Sequence, residues 1–163
     1  MEEANIGFIL GMVAGEGSFI IQLRTYDRGV GVSGSPVFQM ALKDTDAEIL
    51  HAMCETTGFG KVRYDSNGSH RSRAIWRIHG WDTCQAFAQD IESAANEAEM
   101  FRETDKYKTF VEWKNIIDGY GERKNDGIKS VEEAEELIHR AKSLNDDGND
   151  GLSKDKWMDR IKR

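Results

Sequence analysis

Proline is nearly absent from this 163-residue chain, which has one, and cysteine is scarce, with two. Cys54 and Cys84 give no disulfide framework. His51 with Cys54, and His79 with Cys84, lack a second pair at zinc spacing, so all four read as ordinary core or surface residues and both thiols as reduced. No apolar run approaches the roughly 20 residues of a membrane span. Met1, Glu2 and Glu3 offer neither the basic start nor the apolar stretch of a signal peptide. A soluble, intracellular protein of the cytoplasm or an organelle matrix is expected, with no membrane partner and no small-molecule cofactor. What is present is enough for a core: hydrophobic residues make up 39% of the chain, and a chain of this length buries about 70% of its unfolded surface.

Basic residues are also in deficit, with 22 Lys and Arg against 29 Asp and Glu, a net charge of -7. That argues against a phosphate-rich partner, because nucleic-acid binding is largely charge neutralisation. The average conceals a split. Residues 18–79 carry eight bases and six acids, whereas residues 80–163 carry fourteen bases and twenty acids. Within residues 59–79, Lys61, Arg63, Arg71, Arg73 and Arg77 face Asp65 alone. A basic face on an acidic body is implied.

Periodicity gives the element order. Residues 4–15 have an apolar helical pattern that switches at Gly17 to strand alternation through residue 28. Gly29, Gly31, Gly34 and Pro36 read as a mobile connection to a second strand at 37–42. Asp44, Thr45 and Asp46 offer an N-cap for a helix bearing Ile49, Leu50 and Met53 that ends at Gly58. Residues 59–65 and 71–79 alternate around Asn67-Gly68, a hairpin turn signal. Helices follow at 82–95, at 106–117, at 130–144 behind a Ser130/Glu133 capping box, and at 153–161. The fold class is α+β, ordered αββαββα with a four-stranded antiparallel sheet and a C-terminal helical tail. Residues 1–118 form the core and 119–163 an extension of the same domain. The polar run 145–151 resembles a calcium loop, but its acids and glycines are out of register and no closing Glu follows, so it reads as solvated loop.

The first helix carries Gly7, Gly11 and Gly15 at every fourth position. Each costs about 1 kcal/mol relative to Ala in a helix interior. A stripe of such costs makes sense where a second backbone packs very close; the plainer alternative is that the glycines face this chain's own sheet. Glu16 follows at the helix C-terminus, where the dipole already disfavours a carboxylate. If two such helices pack through their glycines, two Glu16 side chains and their neighbouring carbonyls converge, an oxygen-only surrounding suited to Mg²⁺. Otherwise Glu16 is simply solvated.

Ile9-Leu10-Gly11-Met12-Val13-Ala14-Gly15-Glu16-Gly17, continued by Ser18-Phe19, resembles the LAGLIDADG motif of homing endonucleases in the form that ends GEG. The resemblance extends to Phe38-Gln39, Gly58-Phe59-Gly60, Trp76-Arg77-Ile78 and Leu144-Asn145, and is greatest to the single-motif, homodimeric enzymes of chloroplast introns. It implies a homodimer built on the Gly7, Gly11 and Gly15 face, double-stranded DNA as partner, and intron homing by a nuclease using Mg²⁺ or Mn²⁺. It also implies that Glu16 and the Gly15 carbonyl hold the metal. The family's water-orienting Gln falls on Leu42, and its Lys near Thr104 or Asp105. Lys43, Arg102, Lys106 and Lys108 are the available substitutes, with Lys43 and Lys106 taken as catalytic candidates.

Alternation sets the groove-facing residues. With Phe19, Ile21 and Leu23 inward, Gln22, Arg24, Tyr26 and Arg28 point outward, with Ser33, Ser35, Val37 and Gln39 on the second strand. Lys61, Arg63 and Asp65 share the face of the third strand, and Arg71, Arg73, Ile75 and Arg77 that of the fourth. Arg and Gln suit bidentate contacts with guanine and adenine. The expected function is site-specific, metal-dependent hydrolysis of double-stranded DNA at a long pseudo-palindromic target. Leu42 and the missing Lys favour the alternative of a non-cleaving DNA-binding regulator or RNA maturase. Net charge alone favours an unrelated protein-interaction domain.

Overall fold

The structure is a computed structural model that describes residues 3–25, 27, 29–65, 72–121, 128–144 and 153–161. Its elements are α1 (Glu3–Glu16), β1 (Gly17–Thr25), β2 (Val32–Lys43), a 3₁₀ turn (Asp44–Asp46), α2 (Ala47–Thr57), β3 (Lys61–Asp65) and β4 (Arg73–His79), followed by α3 (Trp81–Asn96), α4 (Glu99–Arg102), α5 (Asp105–Gly121), α6 (Val131–Leu144) and α7 (Lys154–Met158). The strands form one antiparallel sheet in the order β1-β2-β4-β3. Among the described residues, no helix is long and apolar enough to cross a membrane.

Alternation decides which face of the sheet is covered. Phe19, Ile21 and Leu23 of β1, Phe38 and Met40 of β2, and Ala74, Trp76 and Ile78 of β4 are all buried beneath the helices. Phe19 is the hinge of this layer, with ring centroids 5.2 Å from Phe38, 5.4 Å from Phe110 and 5.1 Å from Trp113. Phe38 extends the contact to Trp76 at 5.3 Å and Phe87 at 4.9 Å, so α3 and α5 are locked to the central strands. Tilted and edge-on rings at such spacings add to the area they bury. The Trp113 indole donates to the Ile20 carbonyl at 3.0 Å, and the Trp76 indole to the Phe59 carbonyl at 2.8 Å, which satisfies both buried N–H groups.

The segment around Gly34 and Pro36 corrects the expected loop. Both lie in the ladder of β2, opposite Leu23 and Ile21. Pro36 is tolerated because its carbonyl, which accepts from Gly80 N at 3.3 Å, faces β4 just past the last β2–β4 pair, Val37 with His79. Its missing N–H would point the same way, where no partner strand remains. Gly34 is small for close packing: a Cβ there would lie 3.0 Å from both Ile21 and Leu137. The expected N-cap of α2 is also corrected, since residues 44–46 form the 3₁₀ turn and Asp46 makes no side-chain cap bond. Gly58 does end α2 in the left-handed region, at φ 74°. Ser130 caps α6 by accepting from Glu133 N at 3.2 Å, while Glu133 accepts from Lys129 N at 3.0 Å. The Asn67-Gly68 turn and the run 145–151 lie outside the described residues.

Both cysteines are free. Burial pushes the Cys84 thiol up to about 12, against a smaller lowering by its bond with the Phe38 backbone. The unfolded thiol ionises near 8.5, so between there and about 12 only the unfolded state loses the proton, and stability falls as pH rises. Urea unfolding of the unmodified protein and of Cys84→Ala at pH 8 and pH 10 is expected to show a smaller alkaline loss in the variant; equal losses reject the assignment.

Candidate nucleic-acid interface and metal-binding end

The apolar face of α1 is buried through Ile9, Leu10 and Val13. Gly7, Gly11 and Gly15 lie on the other side, exposed, and a Cβ built on any of them meets nothing within 4 Å. The glycines therefore do not serve this chain's own sheet. Phe8 is 53% exposed beside them and lines a shallow groove with Asn5, Ile49 and Ala52.

At the end of the stripe Glu16 is exposed, and Gly17 enters the sheet with no intervening residue. Gly17 cannot carry a side chain, since a Cβ would lie 2.6 Å from the Val13 carbonyl oxygen and 3.0 Å from the Phe38 ring. The structure distinguishes the four candidate bases. Lys106, at the start of α5, donates to the Gly17 carbonyl at 2.5 Å and so stands one residue from Glu16. Lys108 instead pairs with Asp105 at 2.8 Å, a hydrogen bond that lowers the Asp105 carboxyl and raises the Lys108 ammonium from their ordinary ranges. Arg102 is exposed on α4. Lys43 ends β2, exposed and paired in register with Arg73. Thr104 is engaged as a cap, donating to the Phe101 carbonyl at 2.7 Å and accepting from Tyr107 N at 3.1 Å. Leu42 is half-buried and packs on the core.

The outward face of the sheet holds Ser18, Gln22 and Arg24 of β1 and Ser33, Ser35 and Gln39 of β2, with Lys61, Arg63, Arg73 and Arg77 on the next two strands. The register places Gln22 opposite Ser35, Arg24 opposite Ser33, Gln39 opposite both Ser18 and Arg77, and Lys61 opposite Arg77. Gln22, Arg24, Ser35, Lys61, Arg63 and Arg77 line a concave groove of about 580 Å³, and no carboxylate lines it among the described residues. Arg73 lies at the Gly17 end of the sheet, 3.6 Å from Asp65. Tyr26, Arg28 and Arg71 lie outside the described residues. His79 and Thr83 also line the groove and were not among the expected residues. Strand parity with Arg73 and Arg77 carries the signal for His79; Thr83 sits on the first turn of α3, where strand parity says nothing.

Basic side chains on the helical side are compensated: Arg140 meets Glu112 at 2.7 Å and Lys114 meets Asp118 at 2.7 Å. The positive groove thus sits apart from a helical side on which acids outnumber bases, twenty to fourteen over residues 80–163. Among the described residues, no three His, Cys, Asp or Glu side chains converge as a metal site. Glu16 provides one carboxylate and α1 its terminal carbonyls, so the donors suit a hard cation but amount to part of a coordination shell.

An exposed glycine helix that ends in a carboxylate, above a four-stranded sheet with a basic concave face, defines this α+β fold. The chain belongs to the LAGLIDADG endonuclease family, whose model matches residues 9–117. No match among curated proteins accompanies it. The fold is similar to that of the archaeal intron-encoded homing endonuclease I-Vdi141I complexed with DNA, at 20% identity and a TM-score of 0.75, covering 98% of this chain and 96% of that one. It is also similar to the homing endonuclease I-CvuI with a DNA target in the presence of 2 mM Mg, at 14% identity and a TM-score of 0.72, covering 97% and 92%. The meganuclease I-SmaMI bound to DNA aligns at 18% identity and a TM-score of 0.70 over 95% of this chain but 48% of its own.

Gly60 supports one wall of the groove at φ 77°, with a built Cβ 2.5 Å from the Arg77 carbonyl oxygen. Gly60→Ala is expected to cost about 2 kcal/mol of stability, measured by urea unfolding. An unchanged midpoint would show that the β3–β4 edge relaxes freely.

Proposed function

We propose that the chain acts as a homodimeric, site-specific homing endonuclease that hydrolyses double-stranded DNA with a divalent cation. The observation that carries this reading is the exposed glycine stripe ending in Glu16 beside Lys106, at the same end of the sheet from which the basic groove extends. A helix whose glycines lie open favours a second helix at close approach, and two-fold symmetry is the usual way a chain meets its own copy. Dimerisation would double the one Glu16 carboxylate. I-SmaMI, of whose chain this one covers 48%, leaves room for two such units in one chain.

Glu16 and the Gly15 carbonyl would hold Mg²⁺ or Mn²⁺. When bound, such a cation polarises a phosphoryl oxygen and lowers the pKa of water. The chain's own groups do the rest. Lys106, held by the Gly17 carbonyl, keeps a positive charge where negative charge develops at the phosphate. The sheet fits the major groove, which admits strands. From Gly17 to Arg24 β1 advances seven residues, or about 23 Å at about 3.3 Å each, so one subunit's face would follow about seven base pairs. A two-fold dimer would then read a pseudo-palindrome. Arg63, Arg77 and Lys61 supply affinity, whereas the paired bases of α5 and α6 do not.

Leu42 favours a second reading, a binding-only regulator or RNA maturase, because it packs on the core where a water-orienting Gln would stand. Incubation of the protein with its intronless insertion site and Mg²⁺, Mn²⁺, Ca²⁺ or chelator separates the two. Glu16→Gln removes the charge that holds the cation and is expected to lower cleavage at least about 100-fold, with duplex binding equal or tighter. Cutting in chelator, or by Glu16→Gln, would place the hydrolytic centre elsewhere; no cutting with any metal would favour the binding-only reading.

Gly11→Leu fills the space a partner helix needs, on a face where an added Cβ meets nothing within 4 Å. Sedimentation velocity is expected to show loss of dimer, with loss of duplex affinity in parallel. A variant that remains dimeric would remove the stripe as the interface.

A further inference from the structure

The groove contains a bridge between strands that are not neighbours. The Gln22 side-chain oxygen accepts from Arg77 Nη2 at 3.1 Å and from Arg24 Nη2 at 3.2 Å. Arg77 of β4 stands level with Gln39 and Ser18, and Gln22 lies four residues farther along β1, so the bond runs diagonally, two strand spacings or about 9.6 Å across and about 13 Å along the strands. The diagonal crosses β2 at Val37, midway between the partners Ser35 and Gln39, and Val37 is buried in the groove floor, so both long side chains pass over it. Guanidinium groups only donate, so the Gln22 atom that faces both must be its oxygen.

This arrangement changes what the face can read. A Gln that recognises adenine uses both ends of its amide, the oxygen accepting from N6 and the nitrogen donating to N7. Here both lone pairs of the oxygen are occupied by arginines, which leaves Gln22 with donors only. Arg24 and Arg77 each retain further N–H groups, and Lys61 stands opposite Arg77. Gln22, Arg24, Lys61 and Arg77 thus offer donors alone, which matches the two acceptors, O6 and N7, on the major-groove edge of guanine. A shared acceptor also holds two like charges side by side and reduces the side-chain freedom lost on binding.

Resting on the reading of the sheet as a DNA-docking surface, we infer that Gln22 is a positioning residue, which clamps Arg24 and Arg77 as a guanine-reading pair instead of contacting adenine itself. Gln22 lies five residues along β1 from Gly17, which places the guanines about five base pairs out along each arm.

The test selects a DNA duplex library with randomised arms using the full chain, Gln22→Met and Gln22→Glu, and measures binding against salt. The unmodified protein is expected to enrich guanine at two neighbouring arm positions. Gln22→Met keeps the side-chain length but lacks the acceptor; it is expected to lose about tenfold of that preference, with an unchanged slope of log affinity against log salt because every cation remains. Gln22→Glu restores the acceptor and is expected to keep the guanines while lowering the slope by about one. Thermal unfolding checks that each variant is folded, and Gln22→Ala replaces Gln22→Met if that one is not. Retention of the guanines by a folded variant without the acceptor overturns the inference, as does adenine enrichment by the unmodified protein that Gln22→Met abolishes. Absence of salt-dependent duplex binding by the unmodified protein rejects the nuclease reading itself, and the inference with it.

Discussion

The passage from α1 to β1 at Gly17 is the constraint on which the rest depends. Helix and strand join with no connecting residue, and no side chain fits between the Val13 carbonyl and the Phe38 ring. One residue therefore fixes the stripe of α1, the Glu16 carboxylate and the register of β1 relative to one another. Because Gly17 pairs with Met40, the phase of the sheet follows, inward for Phe19 and outward for Gln22. Lys106 reaches the same point from α5, bonding a residue 89 positions away in sequence, so the helical layer is keyed to the junction as well.

What could be read in advance follows from the range of each signal. Strand alternation is local, and it placed Gln22, Arg24, Ser33, Ser35, Gln39, Lys61, Arg63, Arg73 and Arg77 on one face, where the register has them. The glycine stripe was legible as a cost, but whether it met its own sheet or open space depended on which face of α1 Ile9, Leu10 and Val13 would bury. The identity of the base beside Glu16 was not legible. Lys43, Arg102, Lys106 and Lys108 are equivalent on paper, and only the packing of α5 against the junction singles out Lys106. Gly34 and Pro36 misled for a related reason, since of two residues that usually signal a loop Gly34 is here needed beneath Leu137 and Pro36 is tolerated at the end of the β4 ladder.

Net charge proved a poor guide because it averages two surfaces. The acids of α5 and α6 neutralise Arg140 and Lys114 on the helical side, while the groove has no carboxylate among its described lining. A molecule of net charge -7 can thus present a positive concavity on one side. The acidic remainder would turn that side toward a polyanion during approach and resist other orientations.

The length of β1 bears on how rare a target such a protein can single out. Under the proposed reading, two faces of about seven base pairs each, if read fully, specify a sequence expected on the order of once in 10⁸ base pairs of random DNA, against the 10⁶–10⁹ competing sites a genome offers. A strand only a few residues shorter would leave many chance matches per genome. The nine residues of β1 thus set a scale for self-toxicity, because an enzyme that cuts chromosomes is tolerable to its host only when its address is nearly unique.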